Sequence, residues 1–119
     1  MKVCKFGGSS LSDANQIRKV CDIVLSDPER RAIVVSAPGK RYDRDTKVTD
    51  LLIALANAVI SGYDGRSEFD AVAGRYLSIV EDLHLDTAIA DQIAADIRRR
   101  MDQYDGDSVL LMDAPESSR

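Results

Sequence analysis

Several residue types that would point to a function class are scarce in this chain. Tryptophan is absent, and the 119 residues include only one histidine and two cysteines. Cys4 and Cys21 have neither CxxC spacing nor a histidine partner, so we predict buried, reduced thiols rather than a disulfide framework. His84 has no second His or Cys nearby, and we predict a surface histidine near a helix end. No metal site is predicted from these residues.

Long apolar runs and an excess of positive charge are also missing. No stretch approaches the roughly 18–20 consecutive apolar residues of a membrane-spanning helix, and the start lacks the pattern of a secretory signal. We therefore expect a cytoplasmic protein with no membrane partner. A net charge of −4 argues against a nucleic-acid partner, because phosphate-backbone binding needs a concentrated positive field. The basic run Arg98–Arg100 falls on a predicted helix and is interpreted as a solvated face.

The residues that are present describe a folded protein. Hydrophobic residues make up 45% and charged residues 30% of the chain, and its length of 119 residues corresponds to one domain or less. The start reads as strand, helix, strand over residues 1–6, 13–26 and 32–36, with Ser12 as the helix N-cap. The second strand is a β-branched apolar run, typical of a strand buried on both faces of a parallel sheet.

This order of elements predicts where ligands would bind. Two parallel strands joined by a helix place the loops that follow them at the same edge of the sheet, which is where open α/β sheets bind ligands. We therefore expect the loop Gly7–Ser10 to lie beside the loop Ser36–Lys40. The first loop reads Gly-Gly-Ser-Ser and the second reads Ser-Ala-Pro-Gly-Lys.

The remainder is predicted to be mainly helical. Residues 40–46 are polar and predicted to be mobile, and helices are predicted over 47–61, 66–83 and 86–104, the last two as an antiparallel pair joined at residues 84–86. An apolar patch follows at 109–112. With only two strands, the sheet cannot bury its own faces, so we expect a partner chain or a longer protein to complete it.

The segment Lys5–Ser10 has the chemistry of a phosphate cradle. Glycines let backbone amides approach an anion without a Cβ in the way, and a nearby helix N-terminus favours negative charge. Taken alone, a Gly-Gly turn after a strand is more often only a turn, and the segment does not match the GxxxxGK[ST] pattern of P-loops. Ser36 could simply satisfy a strand end, and Thr49 could be a helix cap.

Three motifs, in the same order along the chain, resemble those of a known enzyme family. Lys5–Ser10 (KFGGSS) resembles the KFGG[ST]S signature of aspartate kinases in the amino-acid kinase family. Residues 34–37 (VVSA) resemble the second-strand segment of that family, and residues 47–52 (KVTDLL) resemble its [KI][VI]T[DN]LL helix start. The resemblance implies an α/β fold, part of a three-layer α/β/α sandwich with a parallel sheet core and an additional helical pair.

The resemblance also implies a reaction. Aspartate kinases transfer the ATP γ-phosphate to the side-chain carboxylate of L-aspartate, with Mg²⁺ bridging phosphates, and initiate lysine, threonine and methionine biosynthesis. Carried over to this sequence, Lys5 would neutralise charge on the transferring group. Phe6, Gly7 and Gly8 would lie along the ATP phosphates, the two glycines offering backbone N–H groups.

The amino-acid substrate would be bound by hydroxyl groups. The resemblance places Ser9 between phosphate and substrate, has Ser36 face the same cleft, and gives Thr49 a hydrogen bond to aspartate. The partners implied are therefore ATP and L-aspartate, with the chain acting in a homo-oligomer or paired with the remainder of its domain.

The end of the chain departs from the family pattern. Family members continue into a [SV][RH]GE motif, the second half of the sandwich and ACT domains, whereas this chain stops at Ser117-Ser118-Arg119. We therefore expect residues 1–119 to be the N-terminal portion of a catalytic domain and inactive alone. Two alternatives stay open: a family member acting on acetylglutamate, glutamate, carbamate or UMP, or a non-catalytic interaction module that completes its sheet with a partner.

Overall fold

The computed structural model describes residues 1–103, which contain two strands and four α-helices. They divide into two compact units, one comprising Met1–Val48 and the other beginning at Thr49. The elements are β1 (Lys2–Phe6), α1 (Ala14–Leu25), β2 (Arg30–Val35), α2 (Val48–Ile60), α3 (Arg66–Asp82) and α4 (Ala88–Asp102). Every predicted element in this range is present within three residues of its predicted bounds. The predicted apolar patch at 109–112 lies outside the described residues.

The first unit is built on a parallel strand pair. β1 and β2 run side by side with Cys4 opposite Ile33 and Phe6 opposite Val35, and α1 connects them. This arrangement confirms the predicted strand, helix, strand order and the α/β class. The buried apolar side chains of this unit include Leu11, Ala14, Val20 and Val48.

The start of α1 differs from the prediction by one residue. The N-cap is Asp13, whose carboxylate accepts a hydrogen bond from the Gln16 amide at 2.9 Å. Ser12 is instead buried, and its hydroxyl donates to the Ser9 carbonyl oxygen at 3.1 Å. Both residue types cap helices well, and the preceding turn decides between them because it engages Ser12.

The second strand is more exposed than its sequence suggests. Ile33, Val34 and Val35 are 46%, 51% and 57% exposed, although the β-branched run predicted burial on both faces. A parallel strand is buried only when helices cover both faces and strands flank both edges. Among residues 1–103, β2 has β1 as its single neighbour, so that covering is incomplete.

The second unit is helical, as predicted. Its buried apolar side chains come from α2, α3 and α4 and include Leu55, Ala56, Phe69, Val72, Ile79, Val80 and Ala90. α3 packs against α4, and the predicted helical pair is thus confirmed. Over residues 1–103, every helix falls short of the length and apolar character that a membrane span needs.

The turn between α3 and α4 ends the first of these helices with a left-handed residue. His84 has φ of 59°, its amide donates to the Glu81 carbonyl, and the Leu85 amide donates to the Val80 carbonyl, each at 3.0 Å. This pair of hydrogen bonds is the Schellman arrangement that satisfies the last carbonyls of a helix. His84 is exposed, which confirms the predicted surface histidine at a helix end.

One prediction about side-chain environment was wrong. Cys21 is exposed and Cys4 is half-buried, so neither thiol is fully enclosed, although both are free. The basic run at the end of α4 is largely exposed, as predicted, and it also makes contacts: the Arg98 guanidinium lies 4.6 Å from the Phe69 ring centroid. Asp96 pairs with both Arg99 and Arg100.

Candidate active site

A short turn follows β1 and exposes main-chain groups. Gly7 precedes a single 3₁₀ turn, Gly8–Leu11, and the Ser10 amide donates to the Gly7 carbonyl oxygen at 3.1 Å. The first N–H groups of any such turn have no partner inside it. Gly7 is exposed and has only main-chain atoms, so the main chain at this position is accessible from solvent.

The loop after β2 meets this turn directly. The Ser36 amide donates to the Phe6 carbonyl oxygen at 3.2 Å, which extends the strand pairing by one residue. Beyond it, the Gly39 amide donates to the Gly8 carbonyl oxygen at 2.7 Å. The two loops that we expected at one edge of the sheet are therefore hydrogen-bonded to each other.

The three glycines at this edge have different physical roles. A Cβ on Gly39 would lie 2.6 Å from the Gly8 carbonyl carbon, and a Cβ on Gly8 would lie 3.0 Å from the Ala37 carbonyl oxygen. These two glycines are required by the close approach of the loops. A Cβ on Gly7 would meet nothing within 4 Å, and its φ of −77° is open to any residue. Neither packing nor backbone geometry explains a glycine at position 7.

The predicted site residues of the first unit are accessible. Lys5, Ser9 and Ser36 are exposed, and Phe6 is half-buried on the other side of β1 from Lys5. Within residues 1–103, the ion pairs do not include Lys5, whereas Lys2 on the same strand is paired with Asp27 at 2.6 Å. That pairing through a hydrogen bond from Lys2 lowers the pKa of the Asp27 carboxyl. The cationic side chain of Lys5 is therefore exposed to solvent near the turn.

Thr49 belongs to the second unit. It is the second residue of α2, which begins at Val48, and it is exposed. A residue inside the first turn is not at the N-cap position, so the helix-cap alternative does not describe it. Whether Thr49 acts on a substrate stays a prediction.

The loop between Gly39 and Val48 contains a feature that sequence reasoning missed. Residues 40–46 were predicted to be mobile, but Arg41 and Asp45 form a two-pronged ion pair with N–O distances of 2.6 Å and 3.0 Å. The Arg41 amide also donates to the Asp45 carboxylate at 2.9 Å, and the Asp45 side chain is only 8% exposed. We call this arrangement the Arg41–Asp45 clasp.

The clasp has a clear electrostatic signature. Its hydrogen bond from Arg41 lowers the pKa of the Asp45 carboxyl strongly and raises the pKa of the Arg41 guanidinium. Both groups are therefore charged at neutral pH. The only sequence signal for the clasp is an Arg and an Asp four residues apart in a segment without helical periodicity, which predicts nothing by itself.

A cavity of about 180 Å³ lies in the second unit, and its lining residues are distant in sequence from these loops. Its lining residues are Asp64, Arg66, Phe69, Arg98, Met101 and Asp102. Two acidic and two basic side chains balance each other there, and Arg98 already lies against the Phe69 ring. None of the three sequence motifs contributes to this cavity.

Comparison with known proteins gives these observations a context. The sequence model of the amino acid kinase family matches residues 1–103. Aspartokinase 3 of Bacillus subtilis is 44% identical over 118 residues, which are 99% of this chain and 26% of that protein. The chain therefore spans about a quarter of the length of this relative.

Solved structures show the same similarity in three dimensions. Aspartate kinase from Clostridium acetobutylicum matches with a TM-score of 0.84 at 37% identity, over 97% of this chain and 26% of that one. Aspartokinase III of E. coli, crystallised with aspartate and ADP, matches with a TM-score of 0.70 at 28% identity, over 96% and 25%. The similarity seen in three short motifs thus extends over nearly the whole chain.

Proposed function

Because this chain belongs to the amino acid kinase family, we propose that it forms the phosphate-handling part of an aspartate kinase, which transfers the γ-phosphate of ATP to the side-chain carboxylate of L-aspartate. The observation that carries the proposal is the hydrogen bond from Gly39 to Gly8, which joins the two loops at the sheet edge. Lys5 stands exposed on the strand that leads into this junction.

The glycine turn supports a role in phosphate binding. Gly7 has open space where a side chain would be and an ordinary extended backbone, so the protein itself does not need glycine there. A bare main chain at that position suits an anion that approaches the amides closely. Lys5 would supply positive charge to the transferring phosphoryl group, and charge stabilisation with positioning is most of what phosphoryl transfer requires.

Binding of L-aspartate is assigned to three hydroxyl side chains. Ser9 and Ser36 are exposed in the two loops that the Gly39–Gly8 hydrogen bond holds together, and Thr49 is exposed at the start of α2. A hydroxyl can donate to a carboxylate and accept from an ammonium group, so these residues suit an amino-acid ligand. The E. coli relative was crystallised with aspartate and ADP, which supports the same pair of ligands here.

Within residues 1–103 there is no group of three or more His, Cys, Asp or Glu side chains placed to hold a metal ion. We propose that Mg²⁺ arrives as the complex with ATP, since Mg²⁺ commonly binds through substrate phosphates and few protein ligands.

The exposed residues of β2 indicate how the sheet is completed. Ile33, Val34 and Val35 would be covered by further strands and helices of the same polypeptide or by a second copy of the chain. Size-exclusion chromatography of residues 1–119 distinguishes these cases. A dimer would indicate that a second copy of the chain covers β2. A stable monomer would exclude the second copy and leave further strands and helices of the same polypeptide as the covering elements.

A chimeric enzyme tests the catalytic proposal. The 118 residues of this chain that align with Bacillus subtilis aspartokinase 3 replace the matching 26% of that protein, and ADP release is measured with L-aspartate and Mg-ATP. We expect an active chimera whose kcat falls by about 100-fold or more on Lys5→Met, because a group that stabilises developing charge is worth roughly that much. The isolated chain is expected to show no turnover.

The matched control is Lys19→Met, which removes the same charge from the exposed surface of α1. It should leave kcat and both KM values within about twofold, as expected of an exposed surface charge. A Lys5→Met chimera that keeps more than half its activity would contradict the proposal.

Thr49→Val should raise the KM for aspartate more than the KM for ATP, and equal effects on both would remove Thr49 from the aspartate site.

A further inference from the structure

The lysines of this chain are confined to its first unit. There are five, Lys2, Lys5, Lys19, Lys40 and Lys47, and all are exposed. Residues 1–48 carry ten Lys and Arg side chains against six Asp and Glu, a net charge of +4, whereas the net charge of the whole chain is −4. Lys2 is engaged with Asp27, and Lys19 lies on α1. Lys40 ends the loop Ser36–Lys40 and Lys47 begins the KVTDLL motif, but neither side chain has been given a role above.

A hydrogen bond brings these two lysines to the base of one loop. The Val48 amide donates to the Pro38 carbonyl oxygen at 2.9 Å, which closes the loop of residues 39–47 at its neck. Lys47 immediately precedes Val48, and Lys40 is two residues after Pro38. The two ammonium groups are therefore carried by the ends of the loop, close to the closure, rather than by its tip.

The neck lies against the glycine turn. The Gly39 Cα is 3.3 Å from the point where a Cβ on Gly8 would stand. Since consecutive Cα atoms are about 3.8 Å apart, the Lys40 Cα is within about 7 Å of that point. An extended lysine side chain reaches about 6 Å from its Cα, so an anion at the glycine turn is within range of Lys40.

The clasp determines which charges in the loop remain available. Residues 40–47 carry four basic side chains and two acidic ones. The Asp45 carboxylate is bound by Arg41 and almost fully enclosed, which leaves Asp43 as the exposed acid of the loop against Lys40, Arg44 and Lys47. The loop thus presents a net positive charge while the clasp restrains the segment between its two lysines.

From this geometry we propose that Lys40 and Lys47 extend the anion site of the glycine turn and bind the polyphosphate of a nucleoside triphosphate. The inference rests on the proposed function and adds two binding residues to it. Arg41 and Asp45 are positioning residues, because they act on the polyphosphate only by holding the loop. Compact ammonium groups suit this role, since they contact phosphate oxygens without a fixed plane of approach.

Competitive lysine labelling of the 119-residue chain tests the inference. A lysine-reactive ester is applied with and without inorganic tripolyphosphate, then with Mg-ATP and separately with L-aspartate, and the rate at each lysine is measured by mass spectrometry. Lys5, Lys40 and Lys47 should label at least about threefold more slowly at saturating tripolyphosphate or Mg-ATP, as expected when about two thirds of sites or more are occupied. Lys2 and Lys19 are internal controls and should keep their rates.

The outcomes separate this inference from the proposed function. Protection of Lys5 with unchanged rates at Lys40 and Lys47 overturns the inference and leaves the glycine turn as the phosphate site. Unchanged rates at all three lysines overturn both. Protection of Lys40 and Lys47 by L-aspartate alone also overturns the inference, because it assigns them to a carboxylate ligand.

A variant of the chimeric enzyme provides a second measurement. Lys40→Gln with Lys47→Gln should raise the KM for ATP about fivefold while kcat stays within twofold, the effect of two exposed cations that bind without taking part in the transfer. The control is Arg44→Gln, which removes one positive charge from the loop tip and should change the KM for ATP less than twofold. An equal effect of Arg44→Gln would show that only the net charge of the loop matters, and it would refute a site at the neck.

Discussion

The contact between Gly39 and Gly8 makes a graded prediction for stability. In Gly39→Ala, the added Cβ would lie 2.6 Å, 2.8 Å and 2.9 Å from the Gly8 carbonyl carbon, the Gly8 carbonyl oxygen and the Ser9 amide nitrogen. All three are backbone atoms that no rotamer change can move. The loops must separate, which also strains or breaks the 2.7 Å hydrogen bond from Gly39 to Gly8.

The magnitude follows from two contributions. Overpacking typically costs about 1–3 kcal/mol, and a lost intramolecular hydrogen bond costs roughly another 1 kcal/mol. We therefore expect Gly39→Ala to lower the free energy of unfolding by about 2–4 kcal/mol, a large part of the roughly 5–15 kcal/mol that stabilises a small protein. Gly8→Ala should cost less, because its Cβ would meet backbone atoms at 3.0–3.3 Å.

The matched control is Gly7→Ala. Its Cβ enters open space and its backbone is already extended, so stability should change by less than about 0.5 kcal/mol. Guanidinium unfolding of residues 1–119, followed by far-UV circular dichroism, measures the three variants. If Gly39→Ala is as stable as Gly7→Ala, the loops do not pack as described. In the chimeric enzyme, Gly7→Ala should impair ATP use without loss of stability.

Three further predictions concern the termini of helices and the clasp. Asp13→Ala removes the side chain that accepts from the Gln16 amide and should lower the free energy of unfolding by about 1 kcal/mol, whereas Asp13→Ser should restore most of it. His84→Gly relieves a left-handed backbone and, after the entropy cost of glycine, should raise stability by about 0.5 kcal/mol; a loss of stability would mean that the His84 side chain makes a contact not seen here. Carboxyl NMR titration should place the pKa of Asp45 below the usual value of an aspartate, and Arg41→Gln should return it toward that value. Because the pKa is lowered in the folded chain, the clasp stabilises the loop above the ordinary pKa and is lost as pH falls through the lowered one; an Asp45 that titrates normally would exclude the clasp in solution.

The sequence was sufficient to predict the elements and the edge of the sheet at which the loops meet. Hydrophobic spacing identified each helix, and the β-branched run identified β2, because both signals reflect local geometry. The proximity of Gly8 and Gly39 follows from parallel strands whose loops share an edge. Their direct hydrogen bond was not predictable, since it depends on the exact lengths of both turns.

Where the structure differs from the sequence predictions, the cause is physical and is not contained in the local sequence pattern. Burial of β2 depends on strands that residues 1–103 do not include, so composition alone overestimated it. Cys21 was assigned to the core because of its apolar neighbours, but it falls on the outer face of α1. The clasp needs a particular backbone turn between Arg41 and Asp45, and a polar segment gives no sign of that turn. The roles of Lys5, Ser9, Ser36 and Thr49 stay predictions.

The neck formed by Pro38 and Val48 also bears on how this loop can vary among proteins. Because the two ends of residues 39–47 are already tied together, β2 and α2 are insulated from changes in the tip. Added residues there would cost only the slowly growing entropy of a longer loop. Relatives could therefore lengthen, shorten or recharge the tip while the anchoring strand and helix remain in place, which makes this loop a natural position for evolution to adjust ligand preference and for an engineer to insert a reporter.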